Sequence, residues 1–289
     1  MMNKVLRIVA LLLVFYTVSA VASLSGEEGD KLRKAAEVGD RQALNTLQQA
    51  AQDGDPIGQN ELGVIYAAGL GVAKDDIKAT MWFHKAADQG YQTAQYNLGI
   101  AYGTGRGVVK DNAEAAKWLR KAADQGFAPA QLNLGVMYVI GQGVAKDDSE
   151  AAKWFRKAAD QGYKTAQSDL GDAYKTGRGV AKDYVEAVEW YRKAADQGFA
   201  PAQSSLGVMY GTGQGVAKDD AEAAMWFRKA ADQGFAAAQY NLGIAYGTGQ
   251  GVAKDDAEAA MWFRKAADQG FAPAQTILDS LHQGGSSVK

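Results

Sequence analysis

The chain of 289 residues contains no cysteine. Disulfides and thiolate metal sites are therefore excluded, and so is a lipid carried on cysteine after an export signal. Histidine is almost as scarce. His84 and His282 stand about two hundred residues apart, at opposite ends of the chain, and neither has a nucleophile or paired carboxylates near it in sequence. Cofactor and metal chemistry thus has no candidate residues, and none is expected. A positive balance is also missing, since 31 Lys and Arg face 33 Asp and Glu. That lends no support to nucleic acid or an anionic membrane surface as a partner. Low-complexity tracts are absent, and past the first 22 residues no apolar run approaches the roughly 20 residues that a membrane span needs.

Those first residues have the form of an export signal. Lys4 and Arg7 supply positive charge, Ile8 to Val18 is apolar, and Ala20-Val21-Ala22 offers a small-residue cleavage site. Removal of residues 1–22 takes Lys4 and Arg7 away and moves the formal net charge from −2 to −4. The mature chain is expected to be soluble and monomeric, without membrane insertion, and either periplasmic or secreted.

What the sequence does have is a period. WFRKAADQGFA stands at Trp226–Ala236 and again at Trp262–Ala272, and close variants begin at Trp82, Trp118, Trp154 and Trp190, so all six tryptophans are 36 residues apart. A fixed period of this size with helix-compatible sequence between the marks predicts an all-α solenoid whose units bury their apolar faces by stacking. Residues 23–54 read as N-terminal capping helices, 55–271 as six repeats, and 272–289 as a C-terminal capping helix and disordered tail. The N-terminal helices are expected at Lys31–Val38 and Arg41–Asp53, after a polar lead-in at Leu24–Asp30. There Thr46 holds the place of the first tryptophan. At the other end Asp279 and His282 replace the glycine and tyrosine of the repeat in a helix over Ala272–Gln283, followed by the tail Gly284–Lys289.

Within the third repeat, helix A starts at Pro129, a residue tolerated in a first turn because its missing N–H would have no partner there. Ala130, Leu134, Met137 and Tyr138 share one face, the core face, and Gly135 beside it lets helix B approach. After the loop IGQGVAKD, Asp147 and Glu150 have the spacing of a capping box for helix B. The pair recurs at Asp111/Glu114, Asp183/Glu186, Asp219/Glu222 and Asp255/Glu258. Helix B ends before Gly162, a glycine that terminates the helix, and a Phe or Tyr follows that glycine in every unit.

The order Ala130, Leu134, Gly135, Tyr138, Gly141, Gly143, Val144, Lys146, Asp147, Ala151, Trp154, Ala158, Ala159, Gly162 resembles the Sel1-like repeat family, relatives of the tetratricopeptide repeats. The resemblance covers six units. It implies a right-handed α/α superhelix that binds other proteins, often exported from bacteria and concerned with envelope assembly or host contact. One exported branch of that family is rich in disulfides and linked to β-lactam binding, and this cysteine-free chain departs from it.

The expected function is therefore an exported scaffold that binds a protein or peptide in the groove of the solenoid. The alternative is a cell-wall-active enzyme or β-lactam binder. Its sequence basis is thin: no residue set meets the roles that acyl transfer needs, and Ser286-Ser287-Val288-Lys289 fits Ser-x-x-Lys only in the tail. The Gly-rich loops, such as Gly103–Asp111, lack the Gly-Lys-Ser/Thr ending of a phosphate loop and follow no strand, so turn chemistry explains them. Arg106 and Arg178, where three other units have Gln, read as solvated loop charges.

The informative positions are those where units differ on the helix A face turned away from helix B. They include Asn60, Ser168 and Ser204 at one level. The partner-binding candidates are Tyr96 and Ile100 in the second unit, Leu132, Val136, Val139 and Ile140 in the third, Asp172 and Lys175 in the fourth, and Tyr240 in the sixth. Apolar anchors beside fixed charges suit a peptide. The same residues also suit packing between neighbouring A helices.

Overall fold

The structure, a computed structural model, describes residues 23–285. The expected signal at Met1–Ala22 and the Ser-x-x-Lys sequence at Ser286–Lys289 lie outside the described residues. Fifteen helices and no strand are found among them. Two precede the repeats, α1 (Gly26–Glu37) and α2 (Arg41–Gln52). Helix A and helix B then alternate as α3 (Pro56–Ala68), α4 (Asp76–Asp88), α5 (Gln92–Thr104), α6 (Asn112–Asp124), α7 (Ala128–Ile140) and α8 (Asp148–Asp160). The series continues with α9 (Lys164–Thr176), α10 (Tyr184–Asp196), α11 (Ala200–Thr212), α12 (Asp220–Asp232), α13 (Ala236–Thr248) and α14 (Asp256–Ala267), and closes on α15 (Ala272–Gly285). This is the all-α architecture of helix pairs repeating every 36 residues that the tryptophan spacing implies. Packing divides the described chain into two compact units, one up to Ala130 with Gln142–Val144, the other Gln131–Gly141 with the chain from Ala145 onward.

Three local expectations are corrected. Helix α1 starts five residues earlier than its apolar pattern suggests, because Ser25 accepts from the Glu28 amide while the Glu28 carboxylate accepts from the Ser25 amide. That reciprocal pair satisfies two free amides of the first turn and carries the helix into the polar lead-in. Conversely, the repeat aspartates cap without a box. Asp147 accepts from the Ser149 and Glu150 amides at 2.9 and 3.0 Å, but its own amide donates to the Tyr138 carbonyl at 3.0 Å. Helix A thus takes the donor that the glutamate would have used, and Glu150 pairs with Lys153 instead. At the far end α15 runs to Gly285, two residues beyond the expected stop.

The glycines decide how closely elements meet. A Cβ on Gly135 would lie 2.5 Å from a ring carbon of Phe155, so the missing side chain is what admits the aromatic ring of α8 against α7. In the loop after α9, Gly177 and Gly179 both have left-handed φ, 77° and 73°, and a Cβ on Gly179 would run into the Asp148 carbonyl. The Gly-rich loop is thereby seated on the first turn of the preceding helix B.

Neighbouring repeats are stitched by groups that recur at the same register. Trp118 packs into the core cluster of Phe83, Ala86, Ala94 and Leu98, which belongs to the preceding helices, and Trp226 does the same with Tyr191, Ala194 and Leu206. Alongside runs a ladder of glutamines. Gln197 donates to the side-chain oxygen of buried Gln167 at 2.8 Å and to the Gly162 carbonyl at 3.0 Å, and Gln89, bonding Gln59 and Gly54, repeats the pattern in the first unit. On the outer side of each helix B a lysine ammonium lies over the tryptophan ring, from Lys85 on Trp82 to Lys265 on Trp262, at 3.6 to 4.1 Å from the centroid. The cap is locked differently. Arg33 Nε meets Glu61 Oε2 at 2.9 Å, and Glu61 continues through Asn60 to Asn97.

Candidate functional site

Stacking of A helices settles one level of the variable face. Asn60, Ser168 and Ser204 are buried, Asn60 accepting from Asn97 Nδ2 at 3.0 Å, so these positions belong to the joint between repeats rather than to an open surface. Tyr96 and Tyr240 are half-buried with their rings engaged, Tyr96 edge-on to Phe127 at 5.4 Å and Tyr240 against Phe263 and Phe271. Leu132 and Lys175 are half-buried, while Ile140 is exposed.

One turn further along the face the chain opens a recess. Val136 and Val139 of α7, Phe155 of α8 and Ala173 of α9 form its apolar walls, and Asp148, Asp169, Asp172 and Arg178 bring charge to it around a volume of about 380 Å³. Three of the sequence candidates, Val136, Val139 and Asp172, therefore meet in one place. The first unit has a recess in the corresponding position, also about 380 Å³, where Val64, Phe83 and Ile100 form apolar walls and Asp76, Asn97 and Arg106 are the polar groups. Each recess lies between two successive A helices and the helix B between them. The two arginines that the sequence suggested were solvated loop charges both line these recesses.

The recess between α7, α8 and α9 is set apart by its electrostatics. Asp169 stands where Asn97, Asn133 and Asn241 stand in other repeats, and no described residue gives its carboxylate a hydrogen bond. Burial, and after it the charge of Asp172, pushes Asp169 up to about 6. Asp148 Oδ1 is buried without a hydrogen-bond partner, and the nearest cation, Lys146, reaches only its Oδ2, at 3.9 Å. Asp172 replaces the Val or Ile of the other repeats and accepts from the Tyr191 hydroxyl at 2.6 Å. Tyr191 itself replaces a Phe or Leu, and Ser205 of α11 bonds the same phenol. Asp172, Tyr191 and Ser205 are thus a matched set of departures: a fully buried hydroxyl needs a partner, and the acid facing it supplies one.

A serine beside a tyrosine and an aspartate has the ingredients of a nucleophile and base. Burial and Asp172 push the Tyr191 phenol far up, so it stays protonated at neutral pH and cannot accept the Ser205 proton. His84 is committed to Asp88 at 2.8 Å and to the edge of Trp118. Among the described residues no cluster of His, Cys, Asp and Glu is arranged to hold a metal ion, and no helix is long and apolar enough to cross a membrane. What the recess offers a ligand is apolar walls and three carboxylates.

Sequence reasoning found Val136, Val139 and Asp172 but passed over Asp148, Phe155, Asp169 and Tyr191. The signal was available in part: aligning the repeats on their tryptophans shows Asp169 and Tyr191 as departures. That Tyr191 meets Asp172, with Asp169 beside that acid, needs the structure.

Comparison with known proteins follows this geometry. The Sel1 repeat model matches residues 56–91, 92–127, 128–163, 164–199, 200–235 and 236–271. Among solved structures, c5321, described as a protective antigen of uropathogenic Escherichia coli strains with an SLR fold, is similar at 45% identity and a TM-score of 0.79. The likeness covers 84% of this chain and 52% of that one, so this chain spans about half the length of c5321. A Sel1 repeat protein from Oxalobacter formigenes is similar at 36% identity and a TM-score of 0.74, covering 83% of this chain and 96% of that one. No curated protein matches.

Proposed function

This chain belongs to the Sel1 repeat family, whose members are in general protein-interaction scaffolds, and on that premise we propose that it is an exported scaffold for envelope assembly or host contact. In this reading residues 1–22 direct export and are removed, and the mature chain works in the periplasm or outside the cell. A protein or peptide docks in the groove along the A helices. The likeness to c5321 supports the host-contact branch, because an antigen that protects must meet the host's defences.

The observation that carries the proposal is the recess between α7, α8 and α9. Its apolar walls gain from losing water, and because rigid stacked helices frame it, little ordering is needed on the receptor side when a partner arrives. Val136 is 40% exposed at this site, an aliphatic side chain left open where a partner would cover it.

A photoreactive residue in place of Val136, with a control in place of Lys153 on the outer face of α8, tests this in the native organism. A discrete adduct from position 136 and none from position 153 is the expected result. Adducts from 153 alone would move docking off the helix A face and overturn the assignment.

A further inference from the structure

We infer that the recess between α7, α8 and α9 receives a lysine or arginine side chain of the partner, its alkyl stem against Val136, Val139 and Phe155 and its charged head between Asp169 and Asp172. The inference rests on the docking reading above and adds the chemistry of the occupant.

The argument comes from two recesses of equal volume within one molecule. That of the first repeat is lined by one carboxylate, Asp76, and one guanidinium, Arg106. The recess between α7, α8 and α9 has Asp148 and Arg178 at the same positions and adds two more carboxylates, Asp169 for Asn97 and Asp172 for Ile100. Repeat architecture needs neither, since the other repeats pack with amide, serine, glutamate or apolar residues at these positions. Asp169 receives no hydrogen bond, Asp148 Oδ1 has no partner, and neither Asp169 nor Asp172 has an ion-pair partner among the described residues, so the single guanidinium at the recess, Arg178, leaves its three carboxylates in excess. A bare metal ion would supply charge but leave the valine and phenylalanine walls unused. An ammonium or guanidinium on an alkyl stem uses both, as such side chains do when they bury their methylenes and keep the head with polar groups. Arg178 at the recess disfavours a second positive charge beside the first and limits the recess to one basic residue.

Peptides with one variable residue test the assignment: acetyl-Gly-Leu-Lys-Leu-Gly-amide, the same peptide with norleucine, and the same with glutamate, each titrated into the purified chain at low ionic strength. Binding is read from the methyl shifts of Val136 and Val139, which line the recess in both the unaltered chain and the control. The lysine peptide is expected to bind about ten-fold more tightly than norleucine, and added salt to narrow the gap. The control is the triple variant Asp169→Asn, Asp172→Val, Tyr191→Phe, which restores residues that other repeats already use and so keeps the fold. It should bind the lysine and norleucine peptides alike. Equal binding of lysine and norleucine by the unaltered chain, or no binding of the lysine peptide, overturns the cation assignment. A position-136 adduct in the crosslinking experiment would in that case leave the docking face standing, so the two readings fail separately.

Discussion

Asp169 is the residue at which function and stability pull apart. Its carboxyl is pushed up to about 6 in the folded chain, against roughly 4 when unfolded, so between those pH values the folded state holds a proton that the unfolded state has released. Its contribution is intact below pH ~4 and is lost as pH rises through about 6, where a buried acid must ionise. Asp169→Asn removes that cost and places an amide where Asn97, Asn133 and Asn241 already sit. The variant is expected to be more stable by ~2 kcal/mol at pH 8 and indistinguishable at pH 4. Thermal melts at the two pH values check it; equal melts at pH 8 would refute the assignment of a buried, unpaired acid. Gly135→Ala is the opposite case. Its new methyl meets the Phe155 ring and should cost about 1–3 kcal/mol in a urea titration.

At the scale of elements, the joints between helices were partly legible in advance. The aspartate before each helix B, the glycine after it and the glycine in the middle of helix A each follow from backbone chemistry that acts within a few residues, and the structure uses all three. The reading failed where the deciding partner is remote in sequence. The Tyr138 carbonyl displaces Glu150 from the Asp147 amide, and Asn97 buries Asn60, neither of which a single helix reveals. The start of α1 was missed for another reason: the capping box of Ser25 and Glu28 lies among glycines outside the period and resembles a linker. The glutamine ladder is a joint of the remote kind. Gln197→Ala strands the buried oxygen of Gln167 and the Gly162 carbonyl, and should cost about 1–2 kcal/mol. Asp147→Ala, which removes a cap within one helix, should cost ~1 kcal/mol. Chemical denaturation of the two variants compares joint with cap directly.

For the molecule as a whole, stability is built from repeats and nearest-neighbour joints, and among the described helices α1 and α15 pack on one side only. Amide exchange is expected to be fastest in α15 and slowest in α10 and α11, whose Tyr191, Leu206 and Met209 are fully buried. Helix α1 should be slower than α15 because Arg33 ties it to Glu61, and Arg33→Ala should erase that difference. Exchange that proceeds at one rate throughout would instead mean a single cooperative unit.

The recurring joints have one more consequence, for inheritance. Gly211–Ala236 and Gly247–Ala272 are identical in sequence, and each segment carries a tryptophan that packs into the core of the preceding helices and the glutamine that bonds helix A of its own repeat. A copy inserted in frame therefore arrives with its connectors already matched to either neighbour. Such a gene can gain or lose one 36-residue cassette by unequal recombination and still encode a folded product, so surface length can vary between lineages without any new packing having to evolve.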